Sequence, residues 1–206
     1  MRSYIVLGGG GHAKVLMEIL RLRGLDVLGY TDPHSSVPIG DSQCLGNDDL
    51  VESYSPETIL LVNGLGSVGD NRKRKQIFES WKEKGYSFAT VIHPSAILSP
   101  DVVLGEGVQV MAGVIIQTGT KIGVNSIVNT RATIDHDAKI GHHAHIAPGA
   151  ILSGNVTVQD GAHLGTGVTV IQGVSIGKNS IVGAGAVVVK DVEENVTVAG
   201  VPARRL

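Results

Sequence analysis

Sixteen residues in the middle of the chain, Ile134 to Gly149 (IDHDAKIGHHAHIAPG), hold four histidines and two aspartates. Imidazole titrates near neutral pH, so it can move a proton or ligate a metal. A carboxylate next to it fixes which ring nitrogen carries the proton and raises the basicity of the other. Three readings fit such a stretch: a metal nest, an acid–base centre in which His136 is flanked by Asp135 and Asp137, or a polar surface without a task. A second concentration lies near the start. Gly8-Gly-Gly-Gly-His-Ala13 fits G-x-G-x-x-A, and Asp32 follows about twenty residues on, the spacing of a dinucleotide-binding loop. What either group can do depends on the elements that carry it.

The second half of the chain is a repeat. From Ile92 to Val188 every sixth residue is Ile, Leu or Val, and four residues after each comes a small or β-branched one, from Ala96 to Val192. Gly, Asn and Asp crowd the positions between, as tight turns require. A period of six matches neither the helix nor simple strand alternation. It predicts one short strand and one turn, repeated, as in hexapeptide β-helical solenoids. No loop longer than a turn interrupts the period, so any wall around a pocket must come from the N-terminal domain or another subunit.

The first ninety residues alternate strand and helix. SYIVLG reads as a strand, a glycine turn and an amphipathic helix follow, and a second strand ends at Asp32. Thr58 to Gly66 reads as a third strand, NRKRKQIFESWKEKG as a helix, and YSFATVI as a short strand entering the solenoid. This βαβαβ pattern predicts a parallel sheet, half of a Rossmann-type fold. A dinucleotide normally spans two such halves, so one half suits a single nucleotide. Gly10 and Gly11 let a phosphate approach backbone N–H groups at the helix N-terminus, and His12 can donate to it. Asp32 is placed to accept from a ribose or a base N–H, and Gly64 closes the third strand at the same edge. The competing reading is a glycine turn needed only for packing. The expected organisation is a nucleotide-binding domain over 1–91, a β-helix over 92–193 and a tail over 194–206.

In order along the chain, GGGGHAKV, YTDP, NTRATIDHDAKIGHHAHIAPGAILSGNV and VAGVPARRL resemble the hexapeptide-repeat nucleotide-sugar N-acetyltransferases of bacterial glycan synthesis. These act on UDP-4-amino sugars or GDP-perosamine, and sialic-acid O-acetyltransferases are their relatives. The resemblance implies a left-handed β-helix with three hexapeptides to a coil, acetyl-CoA as co-substrate, and a homotrimer with the acyl donor between neighbouring solenoids. It implies that His136 is the general base and Asp137 the acidic residue that raises its basicity, with Asp135 a rival for that task. Gly154, eighteen residues beyond His136, stacks one coil above it and can offer its N–H to the developing oxyanion. His145, Thr166 and Ala184 match positions that contact acetyl-CoA, and Asn129 one that contacts the sugar. Lys190, Arg204 and Arg205 are physically suited to the phosphates of CoA.

Other classes are weighed against this. Gamma-class carbonic anhydrases bind zinc on the same scaffold with two histidines five residues apart, a spacing found nowhere here. His145 and His163 do stack, but no third ligand follows from the spacing, so no metal is expected. His142 and His143 read as exposed turn residues, and His163 is ambiguous between cofactor contact and surface. A non-catalytic trimeric scaffold would need neither the glycine loop nor the DHD motif. Transfer to a sialic-acid hydroxyl remains open. The net charge of −2 and the single basic run Asn71-Arg-Lys-Arg-Lys75, read as a solvated helix face, argue against nucleic acid. One cysteine and the lack of a long apolar stretch suit a cytoplasmic protein with no membrane partner.

Overall fold

The computed structural model of the protein describes residues 2–34 and 37–206. The chain divides into two compact units. The first comprises the residues up to Gly66 together with Lys73–Pro94; the second comprises Ser67–Arg72 and Ser95–Leu206.

The first unit contains β1 (Ser3–Leu7), α1 (Gly11–Leu22), β2 (Val27–Thr31), β3 (Cys44–Gly46), a 3₁₀ helix (Asp48–Ser53), β4 (Ile59–Asn63) and α2 (Arg72–Glu83). The four strands pair in parallel in the order β3-β2-β1-β4. Ile5, Val6 and Leu7 are fully buried, and α1 buries Ala13, Leu16, Met17, Ile19 and Leu20 at helical spacing. Each large side chain so buried contributes about 1.5–3 kcal/mol, which holds the glycine turn between β1 and α1 in place.

Three expectations need correction here. β3 was not foreseen, because its three residues carry no alternation of their own and are recruited by backbone pairing with β2. The strand expected to run to Gly66 stops at Asn63, where Gly64 N–H donates to Leu7 O at 2.8 Å and the backbone turns away. The basic run is not wholly solvated: Arg74 is 2% exposed. Its Nη1 donates to the carbonyls of Asn63 (2.8 Å) and Leu65 (2.6 Å), at and just beyond the end of β4. Asn63 Nδ2 returns a bond to Arg74 O at 3.0 Å. Burial pushes the Arg74 guanidinium down to about 9, still charged at neutral pH.

The second unit is a parallel β-helix of two-residue strands. One sheet stacks Ile97–Leu98, Ile115–Ile116, Thr133–Ile134, Ile151–Leu152, Thr169–Val170 and Val187–Val188. A second stacks five strands from Val103–Leu104 to Ser175–Ile176. A third runs through Gln109–Val110, Ile127–Val128, His145–Ile146, His163–Leu164, Ile181–Val182 and Thr197–Ala199. Partners are eighteen residues apart, as in Thr133↔Ile151, so three hexapeptides make each coil. The large aliphatic of every hexapeptide from Val110 to Val188 is buried, and the small residue four places on lies under the corner. The third residue after that aliphatic takes a left-handed conformation, as at Asn125 (φ 55°), Asp137 (φ 58°) and Gly119 (φ 74°). Asn, Asp and Gly tolerate this best, which explains their recurrence in the sequence. The period shortens only at the end, where Ile181 pairs with Thr197 sixteen residues on. Arg204–Arg205 then pairs antiparallel with Thr197–Ala199.

Candidate active site

His136 lies on the corner between the first and second sheets of the β-helix, in the turn between Thr133–Ile134 and Lys139–Ile140. Its backbone N–H donates to Asp135 Oδ1 at 2.8 Å, while its ring Nδ1 lies 2.8 Å from Asp137 Oδ2. The two aspartates therefore divide the work: Asp135 caps the turn and Asp137 holds the imidazole. The left-handed backbone at Asp137 is the local reason, since it carries the carboxylate back over the preceding residue. Asp137 packs on Gly119, where a β-carbon would lie 2.5 Å from Oδ1. Thr120, buried beneath the corner, donates its hydroxyl to Asp135 O at 3.1 Å. With Nδ1–H donated to Asp137, Nε2 is left as the basic nitrogen. The hydrogen bond that His136 donates to Asp137, then the charge of Asp135, raises the His136 pKa above its ordinary value.

Gly154 sits directly above. A β-carbon on it would lie 2.5 Å from His136 Nε2 and 2.6 Å from Cε1. Its backbone φ is unexceptional, so the imidazole and not the turn is what demands glycine. Ser153 N–H and Asn155 N–H donate to Val170 O and His136 O, but no carbonyl of the coil stack accepts from Gly154 N–H among the described residues. The corner thus pairs a base with an uncommitted donor.

His145, Asn129, Thr166 and Ala184 gather elsewhere, on the third sheet and the corner that leads from it to the first. His145 is buried, and both ring nitrogens have partners within the unit: Ser67 Oγ at 2.7 Å from Nδ1 and Asn129 Nδ2 at 3.1 Å from Nε2. Asn129 Oδ1 accepts from Thr130 N–H at 2.8 Å, which turns its NH₂ toward the ring. Nε2 therefore accepts, and Nδ1–H donates to Ser67. Thr166 and Ala184 are exposed on the open corner. Within one chain the base cluster and this second cluster flank opposite edges of the first sheet.

His163 stacks edge-on against His145, ring centroids 4.9 Å apart, and is buried rather than on the surface. Burial pushes its pKa down. His143 corrects the expectation of an exposed turn residue: it is buried, its Nδ1 lies 3.0 Å from Asn125 Nδ2, and its carbonyl accepts from Asn71 at 3.0 Å. The cause is the ladder of equivalent turn positions and the Ser67–Arg72 segment laid across it. His142 is exposed, as expected, with Nδ1 accepting from Val124 N–H at 3.1 Å. Among the described residues no group of three or more His, Cys, Asp or Glu side chains could hold a metal ion.

In the first unit, Gly10 and Gly11 have nothing within 4 Å of where a β-carbon would stand, so packing does not require them to be glycine. Gly10 caps α1 without a side-chain bond, and no acidic residue occupies the first turn, leaving the positive helix end open to an anion. Gly9 and Gly64 differ: β-carbons there would meet Tyr30 Cε2 at 2.5 Å and Leu7 O at 2.6 Å. His12 packs against Gly66. Asp32 follows β2 directly, with Oδ2 accepting from Gly9 N–H at 3.1 Å and Oδ1 from His34 N–H at 2.8 Å. Its remaining lone pairs stay available to a ligand.

Residues 4–81 match the PglD N-terminal domain family. PerB from Caulobacter crescentus, solved in complex with CoA and GDP-perosamine, is 40% identical; the likeness covers 100% of this chain and 98% of that one with a TM-score of 0.91. The acetyltransferase domain of PglB from Neisseria gonorrhoeae FA1090, solved with acetyl coenzyme A, is 37% identical over 100% and 99% of the two chains with a TM-score of 0.93. This chain belongs to the bacillosamine/perosamine-type N-acetyltransferases of the hexapeptide-repeat family. The family's scaffold, a parallel α/β domain followed by a left-handed parallel β-helix, is the fold seen here. A curated member, UDP-N-acetylbacillosamine N-acetyltransferase of Bacillus subtilis (strain 168), is 40% identical over 104 residues. That alignment spans 48% of this chain and 46% of the relative. Sequence reasoning reached the family through its motifs. It missed Ser67, Asn71 and Arg74, which act through backbone carbonyls and a ring nitrogen far away in sequence and belong to no periodic pattern.

Proposed function

We propose that the chain transfers acetyl from acetyl-CoA to the 4-amino group of a nucleotide-linked sugar, with His136 as general base. The neutral amine attacks the thioester carbonyl while Nε2 of His136 takes its proton, so a C–N bond forms as the carbonyl becomes an oxyanion. Gly154 N–H donates to that oxyanion. Collapse breaks the C–S bond, the thiolate leaves, and the imidazolium returns its proton to the sulfur. The observation that carries this reading is the packing of Nε2 against Gly154 with Nδ1 held by Asp137.

Gly10, Gly11, His12 and Asp32, with Gly64 at the same strand edge, are assigned to the nucleotide. His145, Thr166 and Ala184 are assigned to acetyl-CoA and Asn129 to the sugar; His145 acts on the donor with its ring already fixed by Ser67 and Asn129. Because the two solenoid clusters of one chain lie at opposite edges of the first sheet, a complete site takes one corner from each of two subunits. Ile97 and Ile151, on the outer face of that sheet, are 64% and 49% exposed, which favours a partner against it and a trimer closed by three such contacts. Among the described residues no helix is long and apolar enough to cross a membrane, and the use of acetyl-CoA suits a cytoplasmic reaction.

The test is thiol release from acetyl-CoA with a UDP-4-amino sugar, GDP-perosamine and free sialic acid as acceptors. Turnover with one nucleotide amino sugar and none with sialic acid is expected. Activity on sialic acid alone would overturn N-acetylation in favour of O-acetylation, and silence with all three would overturn the acceptor class.

A further inference from the structure

The corner that leads from the third sheet to the first is built from 111–113, 129–131, 147–149, 165–167 and 183–185, stacked in register. Arg131 is the one charged residue in these five triplets. It closes the triplet that Asn129 opens, and it is exposed. Its backbone N–H donates to Ala112 O at 2.9 Å, but among the described residues its guanidinium pairs with nothing.

The backbone makes an arginine unexpected at this position. Arg131 has φ 58°, while the equivalent residues of the other coils are Gly113 (φ 67°), Gly149 (φ 68°), Gly167 (φ 68°) and Gly185 (φ 69°). A β-carbon on Gly149, Gly167 or Gly185 would meet nothing within 4 Å, so conformation rather than space selects glycine in this column. Among the described residues the other non-glycine positions with positive φ are all Asn, Asp or His, the types that tolerate it best. A long cation held against the preference of its own column is strain of the kind that binding sites retain.

Its surroundings decide which anion it faces. A β-carbon on Gly113 would lie 3.3 Å from Arg131 Cγ, so the stem leans back over the preceding coil. Thr166 and Ala184, assigned to acetyl-CoA, lie two and three coils the other way, roughly 10 and 14 Å at ~4.8 Å per coil. Asn129, assigned to the sugar, is two residues away. The guanidinium therefore stands at the acceptor's end of the corner and away from the donor. A nucleotide-linked sugar carries its nearest negative charge on the phosphate bonded to the anomeric carbon. A planar guanidinium grips such a phosphate through two parallel N–H···O bonds.

We propose that Arg131 binds the sugar-linked phosphate of the acceptor's diphosphate and so selects acceptors that carry one. The proposal deepens the nucleotide-sugar reading and rests on it, through the assignment of Asn129.

Arg131→Gly returns the residue that the column favours, so folding and binding separate in the test. The midpoint of urea unfolding, followed by circular dichroism, is expected at or above that of the wild type. GDP-perosamine and a UDP-4-amino sugar are titrated calorimetrically into the full chain at low salt. Whichever one the wild type takes up is expected to bind the variant about ten-fold more weakly, the size of one charge-assisted contact. In turnover, the preference for the 4-amino sugar 1-phosphate over its uncharged methyl glycoside, taken as the ratio of kcat/KM values, is expected to shrink about ten-fold. A variant that binds and discriminates like the wild type, or that loses charged and uncharged acceptors equally, would overturn the proposal. So would a wild type that binds neither nucleotide sugar, or a variant whose assembly mass falls while its acceptor preference stays unchanged, the mark of an ion pair between subunits. Weaker binding by the variant with no acetyl transfer by either protein would leave Arg131 assigned and remove the acetyl-transfer reading.

Discussion

The imidazole of His136 covers the α-carbon of Gly154, eighteen residues further along the chain, so closely that a β-carbon would fall 2.5 Å from Nε2. The contact joins a proton acceptor to a backbone donor with no room for a side chain between them. Gly154→Ala should leave the coil intact, because alanine fits the backbone there, yet push the imidazole off its position. We expect circular dichroism and melting close to wild type and kcat lower by roughly 10²–10³-fold. An active Gly154→Ala protein would remove this contact from the mechanism.

The pH profile follows from the sign of one shift. As the proposed base, His136 would work only when neutral, so kcat/KM is expected to fall as pH drops through its pKa. The Asp137 hydrogen bond, followed by the charge of Asp135, raises that pKa above 6.5, so the acid limb of the wild type lies above that value. Asp137→Asn should move the limb to lower pH and lower the plateau roughly 10–100-fold, because the ring loses its orienting carboxylate. A raised histidine pKa stabilises the folded chain only while the ring is protonated. That contribution is full below the unfolded value and is lost as pH rises through the folded one. Rate profiles of the two proteins over the acid range check both signs.

The glycine loop lets packing be separated from the proposed nucleotide binding. Gly11→Ala should leave stability unchanged and weaken nucleotide-sugar binding about ten-fold, since the new methyl group points into open space above the loop. Gly9→Ala should destabilise the domain by about 1–3 kcal/mol, because its β-carbon would collide with Tyr30. Chemical denaturation and nucleotide titration of the two variants distinguish the roles.

Arg74 is a structural cation. Arg74→Ala would remove the guanidinium donor from the buried carbonyl of Asn63 and the part-buried carbonyl of Leu65, a loss of about 1–3 kcal/mol. We expect a fall in the midpoint of urea unfolding, and no rescue by Arg74→Lys, whose single ammonium cannot reproduce the planar fork.

Periodicity made the solenoid legible, because every coil repeats the same demand for a large aliphatic inside and a left-handed residue at the corner. It also made the His136–Gly154 stack legible, once three hexapeptides were assigned to a coil. The resemblance pointed to Asp137 as the partner of His136, with Asp135 left as a rival that spacing alone did not remove. Their roles are divided by the positive φ at Asp137, a property of the folded turn. His143 was hidden for a similar reason: the same turn position is exposed or buried according to what is laid over it, and Asn71 lies over that one. Arg74 sat inside a charge run whose neighbours are solvated, so only the carbonyls at the end of β4 reveal it. The shortened last coil broke the period beyond the final regular aliphatic.

The central claim is that the nitrogen lying against Gly154 is the base. Single-turnover acetyl transfer by His136→Ala, measured beside CoA binding by the same protein, tests it most directly. The account predicts binding within a few-fold of wild type and a rate lower by about 10²–10⁴-fold. A variant that binds CoA normally and transfers acetyl at a rate near wild type would contradict it.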